Sequence, residues 1–412
     1  MAYKYENVYE PEEDSELLLK HTISELKHFF IGKSIQQKQQ HSLCEVGVGS
    51  GFVSTNLAKQ FPNIQFFASD INSSAIDLTK LEFSLIKTTT KPNIQNKPFF
   101  EGFKKEQKFD TIIFNTPYFP FESKKDNFKD MTMKDRAIYG GINGYEVINE
   151  FIELTIQRLN PDGFCIMIFS SLSNYTEIEK VLIKNSYNYS MLESENSFFE
   201  KIHCLKFWPK NDLKQVLKNK EITNLKYLSL GKHSSVFQCD FNNINCIVKI
   251  GKEQHLEKEG FFEEKLKDEF FVPKMYYRHK NYIVREMYTG QTIEHFIDNP
   301  NTTLKELTIV LSEILKACFR IDELKITKFE MTNPYKHIYI ESDLSIGFID
   351  FERCIFADKP KNTTQILQYF RRNIPKFGNI GLKLSNEKIL YIGKKYRDDL
   401  IPFTIQDILE LK

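Results

Sequence analysis

The chain has 412 residues, 41% hydrophobic and 27% charged, with a formal net charge of +1. That length predicts two or three domains, and the near-neutral balance excludes a global electrostatic pull toward nucleic acid or an anionic membrane. No apolar run approaches the roughly 20 residues that span a bilayer, and the opening stretch MAYKYENVYEPEEDSELLL has no signal-peptide pattern. Cys44, Cys165, Cys204, Cys239, Cys246, Cys318 and Cys354 are scattered without a C-x-x-C pair. They read as reduced, buried thiols, not as a zinc site or disulfide framework. The expectation is a cytoplasmic protein without a membrane role.

From Leu43 to about Pro209, short apolar runs alternate with amphipathic stretches. The predicted strands are LCEVGV, IQFFASD, FDTIIFN, GFCIMIFS and HCLKFW, with helices between them, which argues for a parallel sheet covered on both faces. Ahead of them, Glu12, Glu13 and Asp14 read as acids at a helix N-terminus. LCEVGVGSGFVSTNLA places Glu45, Gly47, Gly49 and Gly51 at a strand-to-helix turn, where glycines permit a tight turn and close approach of a ligand. The next strand ends in Asp70, about twenty residues on, where a carboxylate can accept both hydroxyls of a ribose. This spacing alone does not separate a nicotinamide dinucleotide from S-adenosylmethionine.

FDTIIFNTPYFP (Phe109–Pro120) separates them. To methylate an amide or aromatic amine, the nitrogen lone pair must point at the methyl donor. An Asn oxygen and a neighbouring backbone carbonyl accept the two N–H groups and so aim it. Asn115, the Thr116 carbonyl, Pro117 and Tyr118 form such a site, with the Tyr118 ring able to stack on the planar group. Taken alone the stretch is also an ordinary Asn/Pro turn closing a strand; behind EVGVGSG and SDIN it reads as catalytic.

With these motifs in order, residues 1 to about 209 resemble the HemK-type class I methyltransferases. The archaeal and eukaryotic branch is the nearer likeness, through VYEPEEDSELLL, EVGVGSGF, SDINSSA, FDTIIFNTPYFP, AIYGGINGYEVINEFI and GFCIMIFSSLSN. The resemblance implies a seven-stranded Rossmann-like fold that binds S-adenosylmethionine. It also implies methylation of the side-chain amide of the Gln in the Gly-Gly-Gln loop of class I peptide chain release factors, in translation termination. On the same footing, Glu45, Gly47, Gly49 and Gly51 line the methionine part, Asp70 the ribose, and Glu101 of FFEGF the adenine. YGGINGYEV (Tyr139–Val147) lies over the active site, and a small zinc-binding activator subunit covers a sheet edge. The family pattern N-P-P-Y is here N-T-P-Y: the second-position carbonyl survives in Thr116, but a loop-stiffening proline is lost.

A Lys/Asn-rich stretch, 210–224, reads as a linker, followed by a second domain over 225–375 and an extension over 376–412. LSLGKHSSVFQCDFNNINCIVKI supplies a turn glycine, Gly231, and two β-type runs, the second ending in Lys249. A lysine so placed can reach the phosphates of ATP. Glu259 on the following helix is placed to pair with it, YIVREM fits a strand and hinge, and SIGFIDFERC ends a strand in Asp350, suited to hold Mg2+ against phosphates. This half resembles the small RIO-related atypical kinases of archaea, implying an α+β bilobal, ATP-binding Ser/Thr kinase-like domain. Glu330 occupies the base position and His337 stands where a metal-binding Asn is expected.

Two other functions fit the same residues. N-P-P-Y-type sites also methylate exocyclic amines of adenine or guanine in tRNA or rRNA, by the same lone-pair logic; no basic stretch with interleaved aromatics favours nucleic acid here. The kinase-like half also reads as a binding module that docks ATP or a translation factor without catalysis.

Overall fold

The computed structural model describes residues 8–121, 131–197, 199–231 and 233–410. Residues 1–7 of the opening stretch, Lys232 after Gly231 and the last two residues of the expected extension lie outside the described residues. The chain divides at Gly231 into two compact units.

The first unit begins with α1 (Glu13–Phe29), α2 (Ile35–Gln39), β1 (Ser42–Val46), α3 (Phe52–Gln60), β2 (Gln65–Ser69), α4 (Ser73–Ser84), β3 (Asn93–Gln95) and β4 (Phe109–Asn115). It continues with α5 (Met133–Arg136), α6 (Glu146–Thr155), β5 (Leu159–Ser170), α7 (Tyr175–Lys184), β6 (Tyr187–Ser197), β7 (Glu200–Pro209), α8 (Asn211–Lys218) and β8 (Ile222–Leu230). Strands β1 to β7 form one sheet in the order β3-β2-β1-β4-β5-β7-β6. The first five pair in parallel, and β7 runs antiparallel between β5 and β6. All of β1 is buried, as a strand covered on both faces must be. Helix α1 buries Leu18, Thr22 and Leu26, one side chain per turn.

This order reverses between β1 and β4. β1 leads outward to β2 and β3, whereas β4 and β5 lie on its other side. The diverging crossovers leave a crevice beyond the carboxyl ends of β1 and β4. The glycine turn after β1 and the Asn-Thr-Pro-Tyr stretch after β4 both emerge there.

The five expected strands correspond to β1, β2, β4, β5 and β7. β3 and β6 were not anticipated: β3 has three residues, and YNYSMLESENS of β6 lacks alternation. Residues 211–218, expected within a linker, form a helix that buries Leu213, Val216 and Leu217.

The second unit contains β9 (Ser234–Phe241), β10 (Ile244–Gly251), α9 (Glu253–Lys265), β11 (Met275–His279), β12 (Tyr282–Glu286), β13 (Gln291–Thr292), α10 (Ile293–Asp298), α11 (Leu304–Glu323) and β14 (Ile326–Thr327). After these come β15 (Ile338–Ile340), β16 (Ile346–Phe348), β17 (Ile355–Phe356), α12 (Asn362–Arg372), α13 (Ile374–Asn379) and α14 (Asn386–Asp399). The strand pairings described within it are antiparallel, whereas the first unit's sheet is mostly parallel with an antiparallel edge.

Residues expected to form a terminal extension belong to this unit's core. Leu382, Leu384, Ile389, Tyr396, Ile405 and Ile408 are buried in one cluster with α11 and α12. Asp322 ties the arrangement together. It accepts from Asn362 N at 3.0 Å, Asn362 Nδ2 at 2.7 Å, Thr363 N at 3.0 Å and Tyr396 Oη at 3.1 Å. Its carboxylate thus caps the first turn of α12, where the backbone N–H groups lack helical partners. All seven cysteines are free and buried. Among the described residues no helix is long and apolar enough to cross a membrane.

Asp322→Ala leaves those four donors without their acceptor and is expected to cost roughly 2–4 kcal/mol. A urea titration followed by circular dichroism should show a lower midpoint for the variant; an unchanged midpoint would contradict the role given to this carboxylate.

Candidate active site and a second polar cluster

A cavity of about 310 Å3 fills the crevice beyond β1 and β4. Its wall after β1 includes Glu45, Gly47, Gly49 and Asp70. Gly47, Gly49 and Gly51 all have φ in the left-handed range, at 61°, 53° and 76°, a conformation that costs glycine nothing. A Cβ on Gly47 would stand 2.7 Å from the Phe114 ring, so the turn lies directly on the strand beside it.

Glu45 does more than line the wall. Its carboxylate accepts the Ser54 backbone N–H at 2.9 Å and the Ser54 hydroxyl, so it caps α3 in place of Gly51, which has no side chain to do so. Burial pushes the Glu45 carboxyl up to about 8, against the two Ser54 hydrogen bonds that lower it. Asp70 accepts Gly49 N at 2.9 Å and Asn72 N at 2.8 Å, clamping the glycine turn to the end of β2. Burial raises its carboxyl. Two bonds leave lone pairs on this carboxylate for further donors. Glu101 does not join them. Turns from Glu101 N to Pro98 O and from Phe103 N to Phe100 O roll Phe100 and Phe103 into the core and leave Glu101 exposed. Lys97, Pro98 and Phe99 line that end of the cavity instead.

Across the cavity, Asn115 ends β4. Its Nδ2 donates to Ser15 Oγ at 3.3 Å, and Ser15 Oγ donates to Asp14 Oδ1 at 3.2 Å. The serine proton being committed to Asp14, its oxygen can only accept from Asn115, which fixes the amide orientation. Asn115 Oδ1 is left buried without a partner. Beside it, the Thr116 carbonyl accepts no hydrogen bond among the described residues. The Thr116 side chain is anchored, its hydroxyl donating to Ile168 O at 2.6 Å. Where the family has a stiffening proline, this chain has a tether to the neighbouring strand.

Tyr118 is satisfied throughout. Its N–H donates to Ile138 O at 3.0 Å, its carbonyl accepts the Ser173 hydroxyl at 2.9 Å, and its own hydroxyl donates to Asp14 Oδ2 at 3.4 Å. Burial and the Asp14 carboxylate raise its phenol well above the ordinary range. Tyr9 donates to the same Asp14 oxygen at 3.1 Å. The glycine loop clasps the Pro117–Phe119 backbone: Gly140 N donates to Phe119 O at 3.0 Å, and Phe121 N to Gly141 O at 2.9 Å. A Cβ on Gly140 would lie 2.3 Å from Pro117 O, and one on Gly144 2.5 Å from Tyr118 O.

Tyr9, Asp14, Ser15 and Ser173 are site residues that the sequence reading missed. Asp14 and Ser15 sit within VYEPEEDSELLL, where local pattern marks the acids only as helix-start residues.

A second polar cluster lies within the second unit. Lys249 Nζ stands 2.7 Å from Glu259 Oε2 and also pairs with Asp350 Oδ1. The expected Lys249, Glu259 and Asp350 are thereby brought together. Arg285 was not anticipated: its Nη1 lies 2.9 Å from Glu259 Oε1 and also pairs with Glu263, all fully inside the fold. Asp350 has φ 64°, a strained state for a non-glycine residue. Burial opposes its ionisation, but Lys249, followed by Lys328 and Arg285, pulls its carboxyl down to about 2. Lys328 Nζ donates to the Asp350 carbonyl at 2.5 Å and pairs with Glu330 at 3.2 Å, and Arg353 stands 3.5 Å from Glu330. His337 Nδ1 lies 3.6 Å from Asp350 Oδ2. Gly231 is exposed at the division between the units. Among the described residues no group of three or more His, Cys, Asp or Glu could hold a metal.

The cavity and topology of the first unit are those of an S-adenosylmethionine-dependent methyltransferase, and the Methyltransferase small domain family matches residues 28–135. A relative of Methanocaldococcus jannaschii, named as a protein N5-glutamine methyltransferase, is 33% identical over 175 residues, covering 41% of this chain and 76% of its own length. The chain belongs to the protein N5-glutamine methyltransferase family. A Release factor glutamine methyltransferase of Rhodopirellula baltica is 26% identical, covering 49% of this chain and 63% of its own length. A Bifunctional methyltransferase of Rickettsia typhi is 23% identical, covering 86% of this chain and 62% of its own. The chain thus spans less than two thirds of the length of these last two relatives.

Because a Cβ at Gly140 would run into backbone atoms, not a flexible side chain, Gly140→Ala must displace the Pro117 backbone or the loop itself. A shift near 1 Å is expected to lower methyl transfer on the order of 100-fold, with cofactor affinity, measured by calorimetry, unchanged. Wild-type activity in this variant would contradict the clasp.

Proposed function

We propose that the first unit methylates the side-chain amide of a protein glutamine, in the Gly-Gly-Gln loop of a class I peptide chain release factor. The supporting observation is the pair of open acceptors at the cavity: Asn115 Oδ1, buried and unpartnered, and the adjacent Thr116 carbonyl. A primary amide offers two N–H donors. Holding both in the plane of the acceptors turns the nitrogen lone pair toward the glycine wall. The Tyr118 ring, held by three hydrogen bonds, supplies a fixed face for the planar amide. Closing of the site around these groups excludes water, which strengthens each bond. S-adenosylmethionine, when bound along Glu45, Gly47, Gly49 and Asp70, supplies an electrophilic methyl group. The names of the Methanocaldococcus and Rhodopirellula relatives agree with this substrate.

An exocyclic amine of adenine or guanine presents the same two N–H groups. Glu10, Glu12, Glu13 and Glu16, exposed beside Asp14, repel a phosphate backbone and favour the protein substrate. A small zinc-binding activator belongs to the same proposal, covering one of the two sheet edges, β3 or β6, whose outer backbone groups are open to pairing.

For the second unit we infer an ATP-binding, kinase-like domain in which Lys249, held by Glu259, meets nucleotide phosphates. Support comes from the Lys249–Glu259 pair converging on Asp350. A second Rossmann-type methyltransferase is disfavoured by the antiparallel pairings among the described residues. Mg2+ prefers a cage of oxygens. Asp350 offers a carboxylate but its neighbour His337 a nitrogen, so the protein residues alone fit the ion poorly and phosphate oxygens would have to complete its shell. Glu330 is engaged by Lys328 and Arg353, which supports binding over phosphoryl transfer.

The methylation reading is tested with methyl-labelled S-adenosylmethionine and two substrates, an archaeal-type class I release factor and total tRNA and rRNA. Label on the loop glutamine, falling about 100-fold or more in Asn115→Ala, is the expected result; label in RNA alone would overturn it. For the second unit, calorimetry should detect ATP binding that is lost in Lys249→Ala, and equal heats for both proteins would refute the assignment.

A further inference from the structure

We propose that the cavity mouth in the first unit is a docking rim for an extended protein loop with apolar side chains and flanking Lys or Arg residues. This rests on the protein-substrate reading above and adds to it the chemistry of the segment around the target amide. Three exposed large apolar side chains stand on segments tied by hydrogen bonds to Asp14, Tyr118 or their neighbours: Phe199 is 98% exposed, Ile142 75% and Leu172 44%. Each is carried by backbone fixed to the site. Ile142 belongs to the glycine loop clasped on Pro117–Phe119, and Asn143 N secures that loop to Glu146 Oε1 at 3.1 Å. Leu172 lies between Ser171, whose hydroxyl accepts Lys201 N at 3.0 Å, and Ser173, bonded to the Tyr118 carbonyl. Phe199 lies in the turn joining β6 and β7, and Ser197 Oγ donates to Glu13 Oε2 at 3.1 Å, one residue from the Asp14 that holds Tyr118.

These side chains do not line the cavity themselves, but they stand on segments bonded to those that do, and exposed apolar surface beside a site marks binding surfaces. Charge selects the occupant. On the α1 side the rim carries exposed Glu10, Glu12, Glu13 and Glu16, with no basic residue between Val8 and Glu16. Lys201 is the exposed cation at the hairpin turn, and Lys97 lines the glycine side of the cavity. An entering chain therefore meets apolar side chains on one side and carboxylates on the other, which suits a polypeptide with basic flanks and repels a nucleic-acid backbone.

The test measures binding, separately from turnover. A fluorescently labelled archaeal-type class I release factor is titrated by anisotropy with the full chain, saturated with S-adenosylhomocysteine. Phe199→Ser combined with Ile142→Ser is expected to weaken binding about tenfold or more, with S-adenosylhomocysteine affinity unchanged as a check on folding. Glu10→Lys combined with Glu16→Lys should also weaken it, and added salt should weaken the wild-type complex. Equal affinity of wild type and the Phe199/Ile142 variant would overturn the rim while leaving the methylation reading intact if the loop glutamine is still labelled. No binding of the release factor by wild type, or binding of RNA lost in the same variant, would overturn the proposal. Loss of self-association in its place would assign the rim to a second copy of the chain and equally overturn it.

Discussion

Asn115 stands at the end of β4 with Nδ2 given to Ser15 and Oδ1 given to nothing. A buried amide oxygen without a partner costs roughly 1–3 kcal/mol, so the arrangement persists only because its neighbours prevent relaxation. Asp14 commits the Ser15 proton, Tyr118 is bonded at N–H, carbonyl and hydroxyl, and Thr116 is tethered to Ile168. These bonds hold the stretch in place, so it cannot turn Asn115 Oδ1 inward. The unmet acceptor is thereby held for a ligand with N–H groups to offer.

The same economy appears on the opposite wall. Gly51 has no side chain to cap α3, and Glu45 reaches across to do it; Asp70 fixes the glycine turn through Gly49 N. Both carboxylates therefore hold the scaffold of the cavity as well as lining it. Topology explains why the two walls face each other: the sheet order reverses between β1 and β4, so their carboxyl ends open onto one crevice. In the second unit, buried charges do comparable work. Lys249 and Arg285 share Glu259 from two strands, and each has a second carboxylate, Asp350 for Lys249 and Glu263 for Arg285, so the buried charges are compensated as a network.

Much of this was readable from residue order. Continuous apolar runs announced β1, β4 and β5 because both faces of a parallel sheet are buried, and the glycines after β1 marked a tight turn with close backbone approach, which their positive φ and the contact of Gly47 with Phe114 bear out. Asn115 was legible as an amide where a strand should have ended in a plain turn. β3 and β6 were not, being respectively too short and too polar for either period. Asp14 and Ser15 escaped because their meaning lies in contacts 104 and 100 residues away, which local pattern cannot carry. Glu101 failed for the opposite reason: sequence position put an acid near the cavity, but two successive turns chose Phe100 and Phe103 for the core. Thr116 looked like a loosening of the loop, and only its hydroxyl bond to β5 reveals a tether. The C-terminal residues read as an appendage because part of their core, α11, lies some way back in the chain.

The central claim, that two open acceptors aim an amide nitrogen, is tested most directly by a crystal structure of the chain with S-adenosylhomocysteine and a Gly-Gly-Gln peptide. The account predicts the glutamine nitrogen within hydrogen-bond distance, about 2.7–3.2 Å, of both Asn115 Oδ1 and the Thr116 carbonyl, with the amide plane against Tyr118. A glutamine bound elsewhere, or bound through its oxygen with Asn115 Oδ1 still unpartnered, would contradict it.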